Sequence, residues 1–155
     1  MPLWQIFHPK GAYTAEDKEA LSGRITAIYA NIPIPKFYVV VIFHELPAES
    51  FYVGGKPRST FVRFKIDQMA RTLPGQVFQE WWLRRLQDII APFVTERGFD
   101  SEVQIAELGQ DLWTMNELIP PPFESIAEKK WVKEDRSIPY TDAEKMPMRH
   151  GAGAK

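Results

Sequence analysis

Residues 37 to 43 read Phe37-Tyr38-Val39-Val40-Val41-Ile42-Phe43, an unbroken β-branched and aromatic run. A run of this kind fits a strand buried on both faces, as in a parallel sheet. Upstream, Ile32-Pro33-Ile34-Pro35 is a stop for any helix that arrives there. Before it, Leu21, Ile25, Ile28 and Tyr29 recur at helical spacing, and Thr14 followed by Ala15-Glu16-Asp17 reads as an N-cap with an acidic first turn. This predicts a helix from Thr14 to about Asn31. Further upstream, His8-Pro9-Lys10-Gly11 is a breaker, and Pro2 to Phe7 alternates with large apolar residues as a short strand does. The first third of the chain thus reads strand–helix–strand.

The order then repeats. Gly54-Gly55-Lys56-Pro57 is a turn-rich connector, Thr60 to Met69 has strand character, and Leu73-Pro74-Gly75 ends it. From Gln76, the positions Val77, Phe78, Trp81, Trp82, Leu86, Ile89, Ile90 and Phe93 trace an amphipathic helix, with Gly98 as its stop. Ser101 to Leu108 alternates as a last core strand. The repeat is roughly 58 residues long, with shared order and little shared identity. The expected fold is α+β (α/β): two consecutive βαβ units, 2–46 and 59–108, forming a four-stranded sheet with two helices on one face, as right-handed crossovers require. Residues 109–135 read as irregular apart from a short helix around Ser125 to Val132, and 136–155 as an extended or disordered tail, with Arg149 to Lys155 its most polar and Gly-rich part.

Bulk properties remove several function classes. The 155 residues are 45% apolar and 25% charged, with a net charge of -1, which gives no basic surface for nucleic acid or an anionic membrane. The absence of cysteine removes disulfides, thiolate metal sites and a Cys nucleophile. His8, His44 and His150 have no metal-ligand spacing. No apolar run approaches a membrane span of about 20 residues, and Met1-Pro2-Leu3-Trp4 lacks the basic start of a signal peptide, so a cytoplasmic location is expected.

Pro2 is the chemically distinctive residue. Removal of Met1 would leave a secondary amine on a rigid ring, and α-amino groups titrate at about 7.7–8.0 in model peptides. Such an amine can act near neutral pH as base, acid or nucleophile. Because Pro2 opens directly into a core strand, its nitrogen should be fixed at a sheet end. Retained Met1 would convert it to an amide.

Met-Pro at the head of a strand, two strand–helix–strand units and an arginine after the third strand resemble the tautomerase superfamily. The length is similar to its fused members, typified by cis-3-chloroacrylic acid dehalogenase. Met1-Pro2-Leu3-Trp4, His8-Pro9 and Trp113-Thr114-Met115-Asn116-Glu117-Leu118-Ile119-Pro120-Pro121-Pro122 resemble a fungal branch of oxalocrotonate tautomerase-like proteins. The resemblance covers about residues 1 to 135 and implies a tautomerase/MIF-like fold, a homotrimer, no cofactor and a small carboxylic-acid substrate.

The resemblance also implies roles. Pro2 matches the catalytic proline of the superfamily. Arg71 falls where the family keeps a substrate-carboxylate arginine. Its usual second arginine is missing, so Arg63 and Lys65 stand as substitutes. Tyr29 falls where the dehalogenase has a histidine, and Gln104 where the family has a tyrosine. Thr114 falls where a glutamate would activate water, with Glu107, Asp111 and Glu117 nearby in sequence. Trp113 is divided between pocket wall and packing. Asn116 is read as a turn residue first and a substrate contact second. Tautomerisation needs one proton carrier and a cation for the developing dienolate; hydration of a haloacrylate also needs a base for water. The expected activity is therefore tautomerase-like proton transfer by Pro2 and Arg71. Dehalogenase or hydratase action, and a non-enzymatic acid-binding trimer, are the alternatives.

Overall fold

The computed structural model describes residues 1–147. Strand β1 (Pro2–Pro9) is followed by helix α1 (Ala15–Ala30) and strand β2 (Val40–Leu46). A small hairpin, β3 (Tyr52–Val53) and β4 (Lys56–Pro57), leads to β5 (Phe61–Gln68), α2 (Gly75–Ile90) and β6 (Asp100–Glu107). The main sheet has the order β2-β1-β5-β6. Its outer pairs are parallel, and the central pair, β1 with β5, is antiparallel. The two βαβ units that the repeat implied are present, and they meet along one antiparallel seam.

Local chemistry explains the boundaries. Thr14 and Asp17 cap α1 reciprocally: the Thr14 hydroxyl accepts from the Asp17 N–H at 3.2 Å, and the Asp17 carboxylate accepts from the Thr14 N–H at 3.1 Å. Arg97 then closes a fork on that carboxylate at 2.6 and 2.8 Å, tying the second unit to the first. Gly54 and Gly55, both at positive φ, form the two-residue turn of the β3–β4 hairpin. Gly98 ends the α2 region in the left-handed conformation.

Both helices cover one face of the sheet. Leu21, Ile25, Ile28 and Tyr29 of α1 and Trp82, Leu86, Ile89 and Ile90 of α2 are buried, against Trp4, Ile6, Val62, Phe64 and Ile66 of the central strands. Trp82 is thus core, while its neighbour Trp81 remains 53% exposed.

Two sequence expectations change. The run at 37–43 is a strand only from Val40. Lys36–Tyr38 is a 3₁₀ turn, because Pro33 and Pro35 hold the approach and Tyr38 is drawn into the core. The strand, moreover, is an edge strand with Ile42 exposed, and is not buried on both faces. The uncovered sheet face is mixed: Leu3, Phe7, Val40 and Ile42 make one half largely apolar, with Gln5 and His44 among them, whereas Arg63, Lys65, Asp67, Glu102 and Gln104 make the other half polar and ion-paired.

The C-terminal segment is more ordered than its composition implied. Helix α3 (Ile126–Glu134) falls where expected, capped by Ser125, whose hydroxyl accepts from the Glu128 N–H at 3.0 Å. Residues 136–147, expected as tail, fold back along it: Trp131 donates to the Ile138 carbonyl at 2.7 Å, and the Ile126 N–H to the Met146 carbonyl at 3.1 Å. Apolar anchors at Trp131, Ile138 and Tyr140 outweigh the prolines that made the segment look irregular. The expected disorder of Arg149 to Lys155 lies outside the described residues.

Trp131 is fully buried and packs against Phe37, Tyr38 and Tyr140. Trp131→Ala is expected to destabilise the protein by about 3–5 kcal/mol. Urea denaturation followed by circular dichroism measures this, and a loss below ~1 kcal/mol would mean that the C-terminal segment is not integral to the fold.

Candidate active site

The site is built at the end of the central seam. Pro2 lies opposite Gln68 in the antiparallel register. The Met1 carbonyl accepts from the Met69 N–H at 3.1 Å, so the N-terminus is stitched to the strand exit rather than left as a tail. With Met1 in place, burial first and the Arg71 charge second lower the pKa of its α-amino group from 8.0 to about 4. The head of the chain therefore sits in surroundings that favour a neutral amine.

Arg71 follows β5 directly and is heavily engaged. Nη1 donates to the Ala70 carbonyl at 2.7 Å. Nη2 donates to the Pro33 carbonyl at 3.1 Å and to Glu128 Oε1 at 2.9 Å. The guanidinium also lies 3.9 Å from the centre of the Phe123 ring. Its Nε–H is buried and has no partner. Glu128 is 3% exposed; its second oxygen accepts from the Glu124 N–H at 2.8 Å, at the positive end of α3. Sequence reasoning found Arg71 and the helix carrying Glu128 but not their pairing, which joins residues 57 positions apart.

Beside Arg71 lies a short hydrogen-bonded chain. Trp4 Nε1–H donates to the Tyr29 hydroxyl at 3.2 Å, and that hydroxyl donates to Gln68 Oε1 at 3.4 Å. Tyr29 is fully buried, and desolvation raises its pKa well above the ordinary phenol value, so it remains a neutral hydrogen-bonding group. A pocket of about 230 Å³ opens here, lined by Ile32, Gln68, Arg71, Thr72, Leu73, Pro74, Phe78, Trp82 and Phe123. It is aromatic and aliphatic, with two side chains, Gln68 and Arg71, that bring several N–H donors. A larger hollow of about 370 Å³ lies under α3, on the outer side of Glu128, and touches neither Gln68 nor Arg71.

The structure brings together Pro2, Arg71 and Tyr29, and adds Gln68. Other expected site residues lie elsewhere. Arg63 and Gln104 bond to each other at 2.7 Å on the uncovered sheet face. Arg63 is five positions along β5 from Gln68, about 17 Å at the rise of a strand. Trp113 packs edge-on against Tyr38, with ring centres 4.7 Å apart, outside the pocket lining. Asn116 and Glu117 both have positive φ and form a tight turn closed by Met115 and Leu118, with Asn116 donating to Ser137 at 2.9 Å. Glu107, by contrast, adjoins the site: it is paired with Gln68 in the β5–β6 register and accepts from the N–H of the pocket residue Leu73. Asp111 is exposed, and His8 is buried at the opposite end of β1. No acidic side chain stands among the pocket-lining residues. Among the described residues, no group of three or more His, Asp or Glu side chains is placed to hold a metal ion. No described helix is long and apolar enough to cross a membrane.

The family model described as "Putative oxalocrotonate tautomerase enzyme" matches residues 1–136. Native RhCC from Rhodococcus jostii RHA1 is similar at 45% identity and a TM-score of 0.87, over 89% of this chain and 99% of that one. A protein of the thermophilic fungus Aspergillus fumigatus is similar at 36% identity and a TM-score of 0.85, over 90% and 98%. N1, a member of the cis-3-chloroacrylic acid dehalogenase family, shares the fold at 18% identity and a TM-score of 0.68, over 86% and 97%. No curated protein matches. The two more similar relatives are bacterial and fungal, so the likeness is not confined to fungi.

Removing one member of the buried Arg71–Glu128 pair strands the other. Glu128→Ala is expected to cost about 3–5 kcal/mol, and the double variant Arg71→Met with Glu128→Met to recover most of that loss. Denaturation midpoints of the three proteins check this; additive losses would mean that the pair is not coupled.

Proposed function

The chain belongs to the oxalocrotonate tautomerase family that its residues 1–136 match, and from that membership we propose a cofactor-independent proton-transfer enzyme that works through the Pro2 amine. The observation that carries the reading is the seam register, which sets Pro2 opposite Gln68, a residue that lines an aromatic pocket together with Arg71. Once Met1 is removed, the Pro2 nitrogen inherits the environment that holds the Met1 amine neutral. Burial and a neighbouring cation both disfavour its protonated form. The amine is thus suited to be a base.

The proposed substrate is a small unsaturated or 2-keto carboxylic acid. Pro2 takes a proton from the carbon or enol oxygen at one end of the conjugated system, and the electron pair moves into a dienolate. Arg71 stabilises the negative oxygen. The prolinium then returns the proton to the carbon at the other end. Substrate and product are isomers, and the amine is regenerated. The apolar walls exclude water from the charged intermediate.

Hydrolytic dehalogenation fits less well. It needs a carboxylate to activate water; Glu128, beside Arg71, is engaged by that arginine and the Glu124 N–H, and Glu107, beside Gln68, by the Leu73 N–H. For assembly, the apolar half of the uncovered sheet face supports burial against further copies of the chain, and a homotrimer is the proposed state. Sedimentation at three times the chain mass is the expected result.

Intact-mass measurement should show Met1 absent from the active protein. Pro2→Ala is expected to lower kcat on phenylenolpyruvate at least 100-fold, within the range for loss of a general base. Arg71→Ala should raise KM for acids and also lower kcat, because the same cation holds the acid and stabilises the dienolate. The pH profile of kcat/KM should be flat around neutrality and fall as acid protonates the amine, with that limb below the ordinary α-amino range of about 7.7–8.0. Activity that needs the protonated amine, and so declines with rising pH through neutrality, would exclude the base role. Chloride release from a 3-haloacrylate would favour the dehalogenase alternative. Unchanged behaviour of Pro2→Ala, with acid still bound, would mean a binding protein.

A further inference from the structure

We propose that Gln68 is a further catalytic residue, whose side-chain amide donates to the developing enolate oxygen, and that Trp4 and Tyr29 are positioning residues that aim it. The inference rests on the proton-transfer reading and names the group that completes it.

Three observations carry the assignment. The first is register: Gln68 is paired directly with Pro2 across the antiparallel seam. Opposed residues in such a pair project to the same face, with Cβ atoms about 5 Å apart. Gln68 also lines the pocket shared with Arg71 while being only 2% exposed.

The second is the direction of the hydrogen bonds. An indole N–H can only donate, so the Tyr29 oxygen must accept from Trp4. Tyr29 is then left with its own proton to give, and Gln68 receives it through Oε1. With Oε1 engaged by Tyr29, the amide NH₂ group is the end left to serve the pocket. All three residues of the relay are buried, and it spans both strands of the seam and helix α1.

The third is what Arg71 has left to offer. Both protons of its Nη2 are spent, on Pro33 and Glu128, and one of Nη1 on Ala70. The guanidinium is charge-compensated by a buried carboxylate. An enolate oxygen that forms one or two bonds from the proline nitrogen needs a donor there, in a site with little water. The Arg71 Nε–H is unpartnered but buried, so the Gln68 amide is the donor proposed to meet that oxygen in the pocket the two residues line.

The test uses Met1-free protein and phenylenolpyruvate. Gln68→Leu is expected to lower kcat about 100-fold, the scale of one lost oxyanion donor, with KM changed less than about threefold. Tyr29→Phe should lower kcat by a smaller factor at unchanged KM, because the amide loses its anchor and not its donor. Gln68→Met serves if the leucine variant does not fold. A kcat within twofold of the parent in a folded Gln68 variant would overturn the proposal, as would a loss confined to KM. A readout independent of turnover is the ¹⁵N side-chain amide resonance of Gln68 under titration with phenylpyruvate. The expected result is a saturable shift that Tyr29→Phe weakens. If the parent protein shows no turnover, the tautomerase reading fails while a Gln68 shift still upholds the donor. Absence of any shift rejects the donor whatever the turnover.

Discussion

The pairing of β1 with β5 is the constraint on which the rest of the structure depends. Each βαβ unit alone would have a two-stranded parallel sheet and one helix, too little to bury its own apolar face. Joining the units antiparallel through their first strands makes a four-stranded platform wide enough for α1 and α2 side by side. The same seam brings the start of the chain to the exit of β5, so that Pro2, Gln68 and Arg71 become neighbours from opposite ends of the sequence. Core and chemistry are set by one register, and a slip of a single residue would turn Trp4, Phe64 and Ile66 out of the core as well as dismantle the site.

Much of this was legible from residues alone, for identifiable reasons. Alternation at Pro2 to Phe7 and helical spacing at Leu21, Ile25 and Ile28 are local signals; they located α1 within one residue at each end and β1 within two, since the strand runs on through His8-Pro9. Strand β2 was misjudged at its start because Phe37 and Tyr38 have the composition of a strand but obey the prolines before them. Arg63, Lys65 and Asp67 alternate with core residues along β5, a pattern that fixes which face they share but not what that surface does.

The site was legible only in part. Pro2 and Arg71 stood out through chemistry and resemblance. Gln68 was not found because its place opposite Pro2 follows from the β1–β5 pairing and register, which no local pattern announces. Glu128 could not: Ser125-Ile126-Ala127-Glu128 announces a helix start, and nothing local says that its acid side chain will meet an arginine 57 residues earlier. Arg63, Gln104, Trp113 and Asn116 came from positional correspondence, and their side chains here form contacts of their own. Segments after the last strand are stabilised by scattered anchors such as Trp131, which composition dilutes among prolines and charges.

The hydrogen bond between the Met1 carbonyl and the Met69 amide bears on when the protein can be made competent. It forms as the seam closes and draws the first residue, already half-buried, away from any peptidase that would remove it. Under the proposed use of the Pro2 amine, trimming and folding would be in competition, and trimming would have to come first, while the nascent chain is still extended. A molecule that closes its sheet too early keeps a blocked proline under a stable fold. The active fraction of a preparation would then record how it was synthesised as much as what it is made of.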